Sequence, residues 1–200
     1  MITQNYSSGL VSESYWLIEF KDYLKLKRDK LTDTEIKAKI IQNNIFGAPN
    51  EYRAKRIYGY IKRRADSLDE NAIELFFNSD LSMQRLFNLV CILRNSRIFF
   101  EFINEVYREK IILGIDTIEP SDIRIFFNNK IVQSEVIAEW KEPTRKRIQG
   151  SFMTILTESN LLIERDNKKL INPPIIDTLF EKYLETNGEA DIIKAMTGAY

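Results

Sequence analysis

Residues 32–65 read TDTEIKAKIIQNNIFGAPNEYRAKRIYGYIKRRA, and this stretch decides the fold class. Thr32-Asp33-Thr34-Glu35 has the spacing of a capping box, in which a threonine and a glutamate three residues on satisfy backbone N–H groups that a helix start leaves open. The spacing predicts a helix from there to about Gln42, stopped at Asn43-Asn44. After the turn Ile45-Phe46-Gly47-Ala48-Pro49-Asn50, a second helix is predicted from Glu51 to about Ala65. Its Ala54, Ile57, Tyr58, Ile61 and Ala65 recur at helical spacing and should face a core. Arg53, Arg56, Tyr60, Arg63 and Arg64 follow i, i+3, i+7, i+10 and i+11 as a stripe on another side, flanked by Lys55 and Lys62. Two helices joined by a glycine-containing turn, the second basic on one face, have the arrangement of a helix-turn-helix, whose second helix enters the major groove. The same residues also fit a solvated basic helix that pairs with the acidic helix after Ser67, and the turn is longer than the roughly 3 to 4 residues usual in that motif.

Working outward, helix signals recur and alternating strand patterns are scarce. Residues 12–30 have helical apolar spacing and end in cations, which suit a helix C-terminus. Ser67-Leu68-Asp69-Glu70 predicts a second capping box for a helix ending near Phe77, and Asp80 should cap another over residues 81–93. A long helix is expected over residues 97–113, with Gly114 just past its end. Residues 114–120 break the pattern. Beyond them, helices are expected over 121–129, 133–140 and from Pro143 to about 159. Residues 161–165 and 168–171 read as short extended pieces around the turn Asp166-Asn167, and a last helix runs from Pro173-Pro174 to about Glu185. The expected fold is therefore all-α, mainly helical. It divides into an N-terminal helical domain (1–115), a C-terminal helical or winged-helix-like domain (120–187) and a tail (188–200).

In the second half, three helices followed by a hairpin have the order of a winged helix. Ile148, Phe152, Ile155, Leu156 and Ser159 mark the inward face of the third helix. That leaves Arg145, Lys146 and Gln149 outward near its N-terminal end, with Lys141 and Arg147 beside them and Arg165, Lys168 and Lys169 at the wing. Gln149 has the donor and acceptor pair that reads adenine. The alternative is a helical subdomain that binds a protein or only packs, because an order of elements does not itself specify a function.

Composition narrows the chemistry. The chain has 200 residues, 29 Lys+Arg against 29 Asp+Glu, no histidine and one cysteine. Missing histidine removes Ser-His-Asp and Cys-His catalysis and the common zinc motifs, and Cys91, inside Leu89-Val90-Cys91-Ile92-Leu93, reads as a core hydrophobe. With no Gly-x-Gly-x-x-Gly, phosphate loop or nucleophile elbow, no enzymatic activity, cofactor or metal is expected. Glu101, Glu105 and Glu109 share a helix face that suits a metal or acid-base site, but a solvated face pairing with Arg108 or Lys110 is the stronger expectation. Phe99, Phe100, Phe102 and Tyr107 read as core. No stretch approaches the roughly 20 apolar residues of a membrane span and the start lacks a secretory pattern, so a cytoplasmic protein is expected. Zero net charge leaves room for a basic face balanced by acidic surface elsewhere.

Several phrases resemble a known family. Tyr6-Ser7-Ser8-Gly9-Leu10-Val11-Ser12-Glu13-Ser14-Tyr15-Trp16, Asn44-Ile45-Phe46 followed by Glu51-Tyr52-Arg53-Ala54-Lys55, Phe99-Phe100-Glu101-Phe102 with Tyr107-Arg108-Glu109-Lys110, and Phe126-Phe127 with Gln133-Ser134-Glu135 are similar to the BrxA family of bacteriophage exclusion (BREX) operons. The resemblance runs from about Tyr6 to Ile171 and carries no catalytic residues. It implies an almost all-helical fold, binding of double-stranded DNA through helix-turn-helix elements beside positive patches, and work alongside a methyltransferase and other BREX components. A monomer in isolation is expected. The competing expectation is an adaptor whose basic helices meet an acidic protein partner without touching DNA.

Overall fold

The computed structural model describes residues 5–199 and is mainly helical, with one two-stranded sheet among those residues. They divide into two compact units, one spanning Tyr15–Asn95 and the other made of the residues up to Ser14 together with those from Ser96 onward.

The Tyr15–Asn95 unit contains α1 (Leu17–Arg28), α2 (Asp33–Gln42), α3 (Glu51–Ala65), α4 (Glu70–Asn78) and α5 (Leu81–Asn95). The local signals act as expected at most starts. Thr32 and Glu35 form the reciprocal capping box, Asn50 accepts the Arg53 N–H at 2.8 Å, and Asp80 accepts the Met83 N–H at 2.9 Å. At α4 the cap is Asp69 rather than the expected Ser67. Asp69 accepts the Ala72 N–H at 2.7 Å, whereas the Ser67 hydroxyl donates back to the Arg64 carbonyl at 2.7 Å. Helix α1 begins at Leu17 instead of near Ser12, because Trp16 sits in the left-handed region at φ 49°. Helix α5 is the spine of the unit: Leu86, Phe87 and the run Leu89 to Leu93, Cys91 included, are buried. Phe76 meets Phe20 and Phe87 edge-on at 5.7 and 5.8 Å between ring centres.

The other unit begins with a 3-10 turn, Gly9–Ser12, and resumes with α6 (Arg97–Phe102), a π turn (Ile103–Tyr107) and α7 (Arg108–Ile112), which together fill the span expected as one helix. Then come α8 (Pro120–Gln133), the short α9 (Glu135–Ala138), α10 (Glu142–Glu158), the hairpin β1 (Leu162–Arg165) and β2 (Lys168–Ile171), α11 (Thr178–Thr186) and α12 (Ala190–Thr197). Asp166 and Asn167 both have positive φ, the conformation a tight two-residue hairpin turn requires, and they pair Arg165 with Lys168. Thr117 makes an isolated bridge to Leu170, and the Ile171 N–H donates to Asp116.

The division differs from the expected boundary at 114–120, and packing gives the reason. Phe152 of α10 lies 4.9 Å from both Phe99 and Phe102 and 5.9 Å from Phe127, and Tyr107 donates to the Leu161 carbonyl at 3.0 Å. The helical run from Arg97 therefore shares its core with the residues after it. Residues 188–200, expected as a tail, contain α12, whose Ile192, Ala195 and Met196 are buried. At Gly198, φ 75°, an added Cβ would lie 2.5 Å from Ile111, so only glycine lets the chain pass this close.

Candidate nucleic-acid interface

On α3, Ala54, Ile57, Tyr58, Ile61 and Ala65 face the core as the spacing predicts. The basic stripe is less uniform than its periodicity suggests. Arg64 is fully buried, donating to the Tyr15 carbonyl and to the Asn88 side chain, whose own amide donates to the same carbonyl at 2.7 Å. It therefore leaves the set of candidate DNA contacts and becomes a structural residue. Lys62 lies 3.0 Å from Asp33 and 2.6 Å from Asp66, and its hydrogen bond to Asp66 is the main reason its ammonium titrates above the usual range. Lys55 pairs with Glu51 one turn earlier. Arg53, Arg56 and Tyr60 are half-buried and Arg63 is exposed.

Trp16 organises this face, and periodicity alone did not single it out. Its ring lies 5.8 Å from Tyr60, the Arg53 guanidinium sits over it at 5.6 Å, and Arg63 sits over Tyr60 at 5.2 Å. The turn before α3 is closed by Asn44, whose side chain accepts from the Ala48 N–H at 2.8 Å and donates to the Ala48 carbonyl at 3.0 Å. Asn44 and Gly47 both adopt positive φ there.

On α10, Ile148, Phe152, Ile155, Leu156 and Ser159 are buried as expected. Lys141, Lys146 and Arg147 are exposed, as are Arg165, Lys168 and Lys169 of the hairpin, while Gln149 is half-buried. Arg145 is drawn back, donating to the Trp140 carbonyl at 2.6 Å. Lys146 pairs with Glu142 at 2.8 Å, and that hydrogen bond holds the Glu142 carboxyl below its usual range. Among the described residues, Lys141, Arg147, Lys168 and Lys169 form no ion pair.

The acidic face of the 97–112 run also differs from expectation. Glu101 accepts from Arg97 at 2.8 Å, from Tyr6 at 2.8 and 3.0 Å, and faces Lys130 of α8 at 2.6 Å. Lys130 is buried and also reaches Glu105 at 2.6 Å. Burial works to raise the Glu101 carboxyl, but the hydrogen bonds from Lys130, Arg97 and Tyr6 outweigh it and leave it below its usual range. Burial likewise works against the Lys130 ammonium, and its two carboxylate partners outweigh it. The expected partners go elsewhere: Arg108 donates to the Ala199 carbonyl and Lys110 pairs with Asp122. The only sequence signal for this network was a lysine on an otherwise inward face of α8. No helix among the described residues is long and apolar enough to cross a membrane.

A family model described as BrxA matches residues 4–188. A BREX protein BrxA of Bacillus cereus (strain H3081.97) is 29% identical over 195 residues, covering 98% of this chain and 98% of that relative. The fold is similar to the crystal structure of an uncharacterized protein from Magnetospirillum magneticum, with a TM-score of 0.82 at 15% identity, covering 98% of this chain and 100% of that one.

Proposed function

The chain belongs to the BrxA family of BREX phage-defence systems, and from that premise we propose that it is a non-enzymatic accessory protein that binds double-stranded DNA. The observation that most supports this is the group Lys141, Arg147, Lys168 and Lys169, exposed and without ion pairs among the described residues, on a helix and the hairpin that follows it. Helices α8, α9 and α10 followed by the hairpin keep the order of a winged helix, and Thr117 pairs with the second hairpin strand. In that arrangement α10 enters the major groove by its N-terminal turns, Arg147 and Gln149 approach base edges, and the hairpin lysines contact phosphates. Helices α2 and α3 supply a second basic surface of helix-turn-helix type through Arg53, Arg56, Tyr60 and Arg63. In this reading the protein is cytoplasmic, a monomer in isolation, and partners other BREX components, the methyltransferase among them.

The test is binding of a random-sequence duplex by the purified protein across a salt series. Each phosphate neutralised should steepen the fall of log affinity with log salt by about 0.9. Arg147→Glu with Lys168→Glu, and separately Arg53→Glu with Arg56→Glu, should weaken binding to every duplex while the melting temperature holds. If the wild type fails to shift duplex at low salt, or both folded double variants bind as tightly as it does, the DNA reading is lost and a protein-binding adaptor takes its place.

A further inference from the structure

The unit that includes α8 carries a groove of about 290 Å³ between α7 and α8. Its floor is Val106, Leu113, Ile115, Ile125 and Phe126. Leu113 is 69% exposed, Ile125 57% and Ile115 42%, with Ile112 beside them at 39%. Single exposed apolar residues are ordinary, but several converging on one concavity mark a contact surface. The rim is acidic. Glu105, Glu109 and Asp122 line it, and Asp116 and Glu119 lie exposed on the loop beside it. Among the described residues lining it, the only cation is Lys110, held 2.8 Å from Asp122. Glu105 faces the buried Lys130, whereas Glu109, Asp116 and Glu119 form no ion pair among the described residues.

We propose that this groove docks a cationic amphipathic helix of a partner protein. The partner's apolar side chains, spaced i, i+3 or i+4, and i+7, fill the floor, and its lysines and arginines meet Glu109, Asp116 and Glu119. The acidic rim repels phosphate, which excludes nucleic acid and anionic lipid as occupants. A second copy of this chain is a poor match as well: its cationic helices α3 and α10 bury their apolar faces, with Ile57, Ile61, Ile148 and Phe152 all inward. The groove thus gives the protein a protein-binding surface distinct from the proposed DNA-binding ones, so it stands or falls independently of them.

The probe is a fluorescein-labelled designed helix of about five turns, roughly 18 residues, with leucine on one face and lysine elsewhere, compared with a twin carrying glutamate for lysine. Fluorescence anisotropy with the full chain should show the lysine peptide binding about tenfold or more tighter than its twin, with salt weakening it. Leu113→Asp and Ile125→Asp should each cost about fivefold or more, as substitutions at the centre of an interface do. Glu109→Lys with Glu119→Lys should cost about threefold and flatten the salt dependence. Arg147→Glu with Lys168→Glu should leave peptide binding unchanged while reducing duplex binding, which separates the two surfaces. Both apolar positions are exposed, so the variants should keep the wild-type melting temperature. If one fails to fold, the other and the rim pair still decide. Equal binding of the two peptides, or wild-type affinity in the folded groove variants, overturns the proposal. So does a concentration-dependent dimer in sedimentation that Leu113→Asp abolishes, which would assign the groove to a second copy.

Discussion

Helix α3 carries as many cations as α10 and its hairpin together, but those cations are engaged differently. On α3, Arg64 is locked in the core, Lys62 lies between two aspartates, Lys55 pairs with Glu51, and Arg53 and Arg63 sit on aromatic rings. On α10 and its hairpin, Lys141, Arg147, Lys168 and Lys169 form no ion pair among the described residues. Charge density along a helix therefore does not measure readiness to bind phosphate. Magnitudes separate the cases: an exposed pair such as Lys55 with Glu51 is worth about 0 to 1 kcal/mol and is easily redirected, whereas withdrawing a buried charge from its partners costs about 3 kcal/mol or more.

The largest expected effect tests that division at its extreme. Arg64→Ala should destabilise the protein by about 3 kcal/mol, because it leaves a cavity and removes charge-assisted hydrogen bonds to Tyr15 and Asn88. Urea denaturation measures it. A variant of wild-type stability that binds DNA poorly would return Arg64 to the contact surface and break the comparison.

Next in size is Lys130→Met, expected to cost about 2 kcal/mol at neutral pH, less than a fully stripped ion pair because Glu101 keeps Arg97 and Tyr6. The pH dependence has a definite sign. Glu101 titrates below its ordinary 4.5 when folded, so its contribution is present above that value and disappears as pH falls through the lower folded one. The stability gap between Lys130→Met and wild type should therefore narrow as pH falls below 4.5 toward the lower folded value. A gap that stays constant down to pH 3 would mean the carboxylates are not its source.

DNA affinity should change by less, and unequally on the two faces. Arg147→Glu with Lys168→Glu should weaken duplex binding by about tenfold or more and lower the salt slope by about 1, the one phosphate contact of Lys168 at roughly 0.9. Arg53→Glu with Arg56→Glu should cost only a few-fold, since Arg53 must share its guanidinium with Trp16. The reverse order would show that aromatic support makes a cation more effective rather than less. The smallest effect belongs to Trp16→Ala, a gain of about two- to threefold in duplex affinity as Arg53 is released, the size of one cation–π contact. In the Arg53→Glu background it should add nothing, and a double-mutant cycle shows this directly.

Much of the fold was legible because its signals are local. The Thr32 and Glu35 box, Asp80 and the Asp166-Asn167 turn each act over two to four residues, and each occurs where the spacing predicts. The start of α1 was misplaced because nothing in residues 12–16 announces the left-handed Trp16. The candidate site was legible in its periodicity and misread in its detail. Arg64 continues the stripe on paper, yet it is the stripe residue nearest the inward Ile61 and Ala65, and the core had a carbonyl for it to bond. Lys130 followed the same rule, its charge balanced by acids on another helical segment.

The sequence by itself determined that the chain is helical, where α2, α3 and α10 stop, that a tight hairpin follows α10, and which residues form the apolar faces of α3 and α10. Those properties depend on backbone groups and side chains within about one helical turn of each other. Only the tertiary structure decided which cations remain at the surface and where the units divide. Arg64 is buried by a carbonyl 49 residues earlier, Lys130 by a carboxylate 25 residues earlier, and Tyr6 joins Glu101 across 95 residues. A buried charge persists only where partners from distant segments converge on it. Spacing along one helix records that helix's faces and carries no account of what packs against them.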